Sequence, residues 1–419
     1  MLLCAAIMTM AAHLTWAQVP PLNRTDSIRV NLVTFYPGSK EFNIFGHSEL
    51  RVQQGDQDWY YNYGVFNFED PGFLWHFVLG HTDYMCMPVP RMFATEGMQG
   101  RRMIEQELNL SQEQARVMCN FLRANALPQN RTYRYKYLSD NCSTRPRDII
   151  EMALGDSLHY GAMCDTLTYR DILAHYTRNY AWERFGIDLV LGWCADTVLS
   201  HRAQMFIPML LMQAVDSATV TTAQGVIEPL NRHTTVVVDT SKQGKILPPT
   251  PWYASPMAMA VAVLAVTVGV TVRDWRRRRV SRWWDSLLMT AAGLAGVAVW
   301  FLMLFSTHEA TSPNVNAVWI NPLQLVLAVL LWVWRRGARW LYALQAVAVE
   351  LTMALWWCQP QVANVAFFPL MAALFMRGVT GAVLLRGTIP SQAASASSGQ
   401  QHNKSHDKPR NGNNHKLKR

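Results

Sequence analysis

The chain has 419 residues, 50% of them hydrophobic and 16% charged, with a net charge of +9. Its mean hydropathy of zero averages two unlike halves: residues to about 250 have the composition of a soluble domain, and those from about 251 to 388 are dominated by apolar runs of membrane length. Much of the positive charge lies at Arg273 to Arg282 and in the tail after Gly387, flanking hydrophobic segments; this is the pattern of cytoplasmic loops and argues against nucleic-acid binding.

Met1 to Ala17 is a short apolar stretch ending Thr15-Trp16-Ala17, read as a secretory signal or signal anchor without a basic leader. Asn31 to Tyr36 reads as a strand, His47 to Gln53 as a second, and Asp58 to Phe66 as a third, paired with the second through the turn Gly55-Asp56-Gln57. Ser111 and Gln114 form a capping box ahead of a helix whose expected buried face is Val117, Met118, Phe121 and Leu122. Tyr133, Tyr135 and Tyr137 alternate with Thr132, Arg134 and Lys136, the period-two signature of a half-buried strand. Pro146, followed by Ile149, Ile150, Met152 and Ala153, then opens a helix. Residues from about 165 to 220 read as largely helical.

Five membrane spans follow, at about 256–272, 286–305, 317–334, 341–357 and 362–385, with Trp252, Trp283, Trp284, Trp340, Trp356 and Trp357 near their ends. Arginine-rich loops after the first span (Arg276 to Arg279) and the third (Arg335, Arg336, Arg339) should be cytoplasmic. The soluble domain and the loops 306–316 and 359–361 then lie outside. Glu350 and Arg377 fall within spans, where an isolated charge is costly, and are expected to pair. The tail 389–419, rich in Ser, Gln, Asn, Lys and His, lacks the apolar surface needed to fold and reads as disordered and basic.

The residues that carry chemistry are Cys142 and His47. Cys142 lies at a strand-to-helix junction, where unpaired N–H groups and the helix dipole favour a thiolate. His47 sits at the start of a strand and supplies a base; a thiol at a helix start with a distant histidine is the minimum equipment for acyl transfer through a thioester. Asn62, on the paired strand, is expected to orient the imidazole, with Tyr61 and Tyr63 as alternatives on the opposite face. Asn141 and Arg145 flank the thiol and are expected to bind substrate there. Arg145, with Arg147, could hold a phospholipid phosphate, although ion pairs with Asp140 or Asp148 account for these arginines equally well. In the outer loop, His308, Glu309, Asn314 and Asn316 could meet lipid head groups or an amine. No Cys or His spacing matches a zinc site, and no cofactor is implied. Cys86, Cys119, Cys164 and Cys194 could pair in an oxidising compartment.

Histidine first and a later Asn-Cys resembles the circularly permuted NlpC-type papain-like hydrolases, including the lecithin:retinol acyltransferase family. More closely, Gly46-His47-Ser48, then Tyr61-Asn62-Tyr63-Gly64-Val65-Phe66-Asn67-Phe68, then Asp140-Asn141-Cys142-Ser143-Thr144-Arg145, resembles the periplasmic domain of the Lnb-type bacterial lipoprotein N-acyltransferases. The layout of the membrane half and the loop from His308 to Pro322 match as well. The resemblance implies an α+β fold, a permuted papain-like periplasmic domain over residues 18–250, and a helical membrane domain of about five spans over 251–388 in the bacterial inner membrane. It implies a Cys142 thioester that carries an acyl chain from a membrane phospholipid to the α-amine of a diacylglyceryl-cysteine on a lipoprotein. The same Cys142 and His47 would serve a membrane-anchored lipase or cell-wall amidase with water as acceptor. A non-enzymatic membrane sensor is a third reading.

Overall fold

The computed structural model describes residues 27–38, 43–67, 71–91, 101–239 and 248–386. The expected signal segment 1–17 and the tail 389–419 lie outside these. Strands β1 (Ile28–Phe35), β2 (His47–Gln54), β3 (Gln57–Val65), β4 (Asp83–Pro90), β5 (Met103–Leu108), β6 (Thr132–Arg134) and β10 (Asn231–Val238) form one antiparallel sheet, ordered β10-β5-β1-β2-β3-β4-β6. Helix α1 (Phe73–Leu79) joins β3 to β4. The strands β7 (Leu158–His159), β8 (Thr219–Thr221) and β9 (Ile227–Pro229) make a small second sheet. The β2–β3 hairpin forms as the turn residues predict, with Gln54 opposite Gln57.

Alternation along β1 builds two layers. Val30 and Leu32 join the main core, whereas Val33 and Phe35 join a smaller cluster with Tyr60 and Met103 on the opposite face. The main core is completed by α2 (Gln112–Asn125) and α3 (Thr144–Leu154), with the later helix Pro208–Ser217 also packed on it. The Ser111–Gln114 capping box is formed. The buried face of α2 is centred on Ala115, Met118, Cys119 and Leu122, at the i, i+3, i+4, i+7 spacing of one helical stripe. That leaves Val117 and Phe121 exposed, a correction to the expected face. The tyrosine strand also ends sooner than its alternation suggests, because Lys136 and Asp140 bridge across a tight turn and draw the chain out of the sheet. Tyr133 and Tyr135 stay against the main core, while Tyr137 packs in a second cluster with Leu138, Ile172 and Phe206. That cluster is built by α4 (Tyr169–Tyr176), α5 (Ala181–Val190), α6 (His201–Gln204) and α7 (Pro208–Ser217).

Five helical segments among the described residues are long and apolar enough to cross a membrane. They are α8 (Pro256–Arg277), α9 (Arg282–Phe305), the broken pair α10 (Asn316–Trp319) and α11 (Leu323–Val333), α12 (Arg335–Leu355) and α13 (Phe367–Leu384). Pro322, which lacks an N–H, stands at the break in the third span.

The expected pairing of Glu350 with Arg377 does not form. Arg377 is fully buried and reaches Asp285 on α9 (Nε to Oδ1, 2.5 Å) and Asp274 on α8 (Nη2 to Oδ2, 2.7 Å). Thr271 accepts from Nη1 at 3.0 Å, and the Tyr342 hydroxyl of α12 donates to Asp285. Glu350 instead lies exposed, five residues before the end of α12. Sequence distance along the spans did not anticipate this, because both aspartates sit where α8 and α9 meet the arginine loop and look like loop charges. The network ties α8, α9, α12 and α13 together at the ends flanked by that loop. Removing one partner of such a pair leaves a buried charge uncompensated, at a cost of roughly 3–5 kcal/mol. Arg377→Ala and Asp285→Ala should therefore sharply lower the thermal unfolding temperature of the detergent-solubilised protein, whereas Glu350→Gln should leave it nearly unchanged. A large loss with Glu350→Gln would contradict this assignment.

Candidate active site

β2 and α3 bring His47 and Cys142 together. Gly46, with φ of 83°, turns the chain into β2 immediately before His47. Cys142 lies just ahead of α3, whose first amides are capped by the Asn141 side chain: its Oδ1 accepts from Ser143 N–H at 2.7 Å and Thr144 N–H at 3.0 Å. The Asn141 Nδ2 donates to the carbonyls of Tyr137 (2.7 Å) and Phe206 (3.0 Å). Asn141 is thus a buried cap whose amide is used within the chain. Arg145 likewise grips Asp140, with Nη2 at 2.6 Å from Oδ2, and lies over the Tyr133 ring at 4.2 Å. Arg147 is paired with Asp148 at 2.7 Å.

Asn62 meets His47 as the hairpin register allows. Its Oδ1 accepts the Gly64 N–H at 2.7 Å, which fixes the oxygen toward the ring, and stands 3.0 Å from His47 Nε2. Nε2 therefore carries the proton, leaving Nδ1 as the nitrogen available to Cys142, with which the ring is hydrogen-bonded. Gly64 is required by this contact, since a Cβ there would lie 2.5 Å from His47 Cε1. Tyr61 and Tyr63, the alternative partners, are buried in the main core on the other face, and the Tyr63 hydroxyl donates to Asn125 at 2.7 Å.

Two further charges face the pair that sequence reasoning did not single out. Glu49 is 1% exposed, with Oε1 3.4 Å from His47 Nε2. Its signal was available, because residues two apart on a strand share a face. Arg101, whose guanidinium lies 5.6 Å over Phe35, is within electrostatic reach of both Glu49 and Cys142. No motif marks it, and it becomes visible only once β5 is placed beside β1.

Burial by itself lowers the His47 pKa, but the Cys142 thiolate, its hydrogen bond and then Glu49 more than offset this and raise it to about 10. Burial pushes the Cys142 thiol up, yet the imidazolium and the amides of Ser48 and Cys142 bring it below its ordinary value. By contrast, burial pushes the Cys86 thiol up to about 12 and also raises Cys119. The six described cysteines are all free, so the expected option of disulfides among Cys86, Cys119, Cys164 and Cys194 is not taken up.

The outer loops of the spans hold the sheet domain directly. Glu309 accepts from the Leu138 N–H at 3.3 Å and from the Ser139 hydroxyl, in the turn leading to Cys142. The His308 Nε2 stands 2.6 Å from the Phe77 carbonyl of α1. Asn314 and Asn316 donate to the Leu189 carbonyl at 2.9 and 3.1 Å. Those side chains, expected to meet substrate, join the two halves of the chain.

A sheet-rich domain carrying a half-buried cysteine–histidine pair, seated on five membrane-competent helices, defines a membrane protein with a thiol centre. The family model of the Lnb N-terminal periplasmic domain matches residues 20–175, and that of the Lnb transmembrane domain matches residues 249–387. The chain belongs to the Lnb family, as a membrane protein with a periplasmic domain. No curated protein and no solved structure matches it.

The sign of the electrostatics gives a test. His47, raised above its ordinary 6.5, stabilises the fold fully below that value and loses its contribution as pH rises through about 10. Cys142, lowered, contributes fully above its ordinary 9.0 and loses this as pH falls through its folded value. The pair is thus lost at the alkaline end as His47 deprotonates and at the acid end as Cys142 takes up its proton. Iodoacetamide alkylation of Cys142, followed by peptide mass spectrometry, should show a midpoint below the usual thiol value of about 8.5. His47→Ala should move it to that value or above, and Glu49→Gln should lower the alkaline limit set by His47. Identical profiles in parent and His47→Ala would refute the ion pair.

Proposed function

We propose that this protein is an acyltransferase of the bacterial inner membrane, moving an acyl chain from a phospholipid through a Cys142 thioester to the α-amine of a lipoprotein's N-terminal diacylglyceryl-cysteine. The observation that carries the reading is the hydrogen-bonded Cys142–His47 pair at the start of α3, with Asn62 on the far side of the ring, in a domain fixed by hydrogen bonds to membrane spans. Family membership supports the same chemistry, and the arginine loops support a periplasmic site.

In the proposed reaction the Cys142 sulfur attacks an ester carbonyl of the phospholipid, and negative charge gathers on the carbonyl oxygen. The Ser48 and Cys142 N–H groups, which already face the sulfur, are built-in donors for it. Collapse breaks the bond to the glycerol oxygen, which leaves with the His47 proton as lysophospholipid. The lipoprotein amine then attacks the thioester, His47 takes its proton, and the amide departs as the thiolate re-forms. Asn62 and Glu49 hold and charge the imidazole. Arg145 is held by Asp140, and Arg101 lies near enough to contribute to the field at the sulfur.

The test is mass spectrometry of the purified full chain incubated with phospholipid vesicles. An acyl adduct on Cys142, released by a diacylglyceryl-cysteine peptide as the N-acylated product, is the expected result. Cys142→Ala should abolish both. His47→Ala should lose roughly 10²- to 10⁴-fold in rate, the usual range for a positioned acid–base group. Release of free fatty acid with no amide would favour the hydrolase reading, and N-acylation by Cys142→Ala would refute the thioester.

A further inference from the structure

Helix α1 does not have the surface of a water-facing helix. Six of its seven residues are apolar, none is buried, and Leu74, Trp75 and Phe77 are 74%, 56% and 44% exposed. It is held rigidly at the outer end of span α9. Thr307 donates its N–H to the Leu79 carbonyl at 2.9 Å and its hydroxyl to the Gly80 carbonyl at 3.0 Å, and His308 engages the Phe77 carbonyl. The Trp75 ring meets Phe301 at 5.4 Å, one turn before the end of α9. At 1.5 Å per residue, that contact lies about 6 Å inside the end of the span. The apolar face of α1 is therefore continuous with the exposed surface of α9 around Trp300, Leu304 and Phe305. The surface of a short, exposed apolar helix at this depth suits the outer leaflet better than water.

From this helix a line of rings runs to Tyr135, on the segment that leads to the thiol. Phe73 stacks on Phe66 at 5.5 Å, Phe66 on Tyr84 at 4.7 Å, and Tyr84 on Tyr135 at 4.0 Å. Phe66, Tyr84 and Tyr135 are each only half-buried, so the line has an open side. The phenols of Tyr84 and Tyr135 lie within the field of the Cys142 thiolate, which joins burial in raising both. The track is thus hydrocarbon at the membrane end and phenolic at the sulfur end. This polarity matches an acyl ester whose chain trails back into the bilayer.

We propose that α1 and this aromatic line form the acyl-chain track of the donor phospholipid, with α1 inserted in the outer leaflet and Phe66 and Tyr84 gripping the chain that reaches Cys142. The proposal rests on the phospholipid-to-thiol reading above and names the lipid-binding surface for it.

The test uses the full chain as its Cys142→Ala variant, so that donor is not consumed, in proteoliposomes containing a phospholipid with a diazirine in its acyl chain. After irradiation, adducts are expected within residues 66–84, on Phe66 and Tyr84 in particular, in addition to those on the spans. Replacing Leu74 and Trp75 together by Asp should reduce the 66–84 adducts about tenfold or more, because both large apolar side chains lose their place in lipid, with span adducts unchanged. Both positions are exposed, so an unaltered thermal unfolding temperature separates loss of lipid contact from loss of fold. Adducts confined to the spans, or undiminished labelling in the double variant, would overturn the track. The Cys142 adduct assay on the parent runs in parallel. Labelled rings with no acylation of Cys142 would keep the lipid track and overturn the transfer reading.

Discussion

A half-buried cysteine–histidine pair is the constraint on which the site depends. Desolvation opposes the charged form of both Cys142 and His47, and each is sustained chiefly by the other. Such a pair survives only if its geometry is enforced from both sides. The sheet supplies one side, since Gly64 lets the imidazole close on the hairpin and Asn62 fixes its Nε2 proton. The start of α3 supplies the other, since the Asn141 side chain caps the first amides and leaves the thiol at the helix entrance. Glu49 adds a buried negative charge behind the ring.

The membrane half extends that enforcement. The turn between Lys136 and Asp140 carries the chain out of the sheet toward Cys142, and Glu309 from the outer loop holds two groups in it. A second seam lies around residues 188–192, where Asn314, Asn316, Gln361 and Asn364 bond to Asp188, Leu189 and Leu191. Arg170 braces the segment from within, paired with Asp188 at 3.1 Å and Asp196 at 2.7 Å. A flexible tether would leave the height of the thiol above the bilayer undefined. Hydrogen bonds at both seams fix it, and the Arg377 cluster at the far end of the spans keeps the helices that carry those loops in register.

The parts of this arrangement legible in the sequence are those written in local pattern. Alternation gave the hairpin and, through it, the neighbourhood of His47 and Asn62; the Ser111–Gln114 box gave the start of α2; apolar runs gave five spans. What escaped depends on approach between distant segments. Arg377 chooses Asp274 and Asp285 over Glu350 because of how α8, α9 and α13 rotate against each other, which hydropathy does not encode. Asn141 looks like a polar group awaiting substrate until the Phe206 carbonyl, 65 residues away, is seen to take its amide. Glu49 was overlooked for a different reason, since a strand glutamate reads as a solvated residue unless both faces of the sheet are known to be covered.

The same electrostatics suit both halves of the proposed transfer. While the thiolate is present, His47 stays protonated well above neutrality and can release its proton to the departing glycerol oxygen. Formation of the thioester removes the sulfur's negative charge, and with it the largest influence that raises the His47 pKa. Burial, which lowers it, is then opposed mainly by Glu49, so the His47 pKa falls and the ring is freer to act as a base when an amine must be deprotonated. Departure of the amide restores the thiolate and recharges the ring. In the proposed transfer a single imidazole would thus serve as acid in one step and base in the next, the exchange following the acylation state of Cys142.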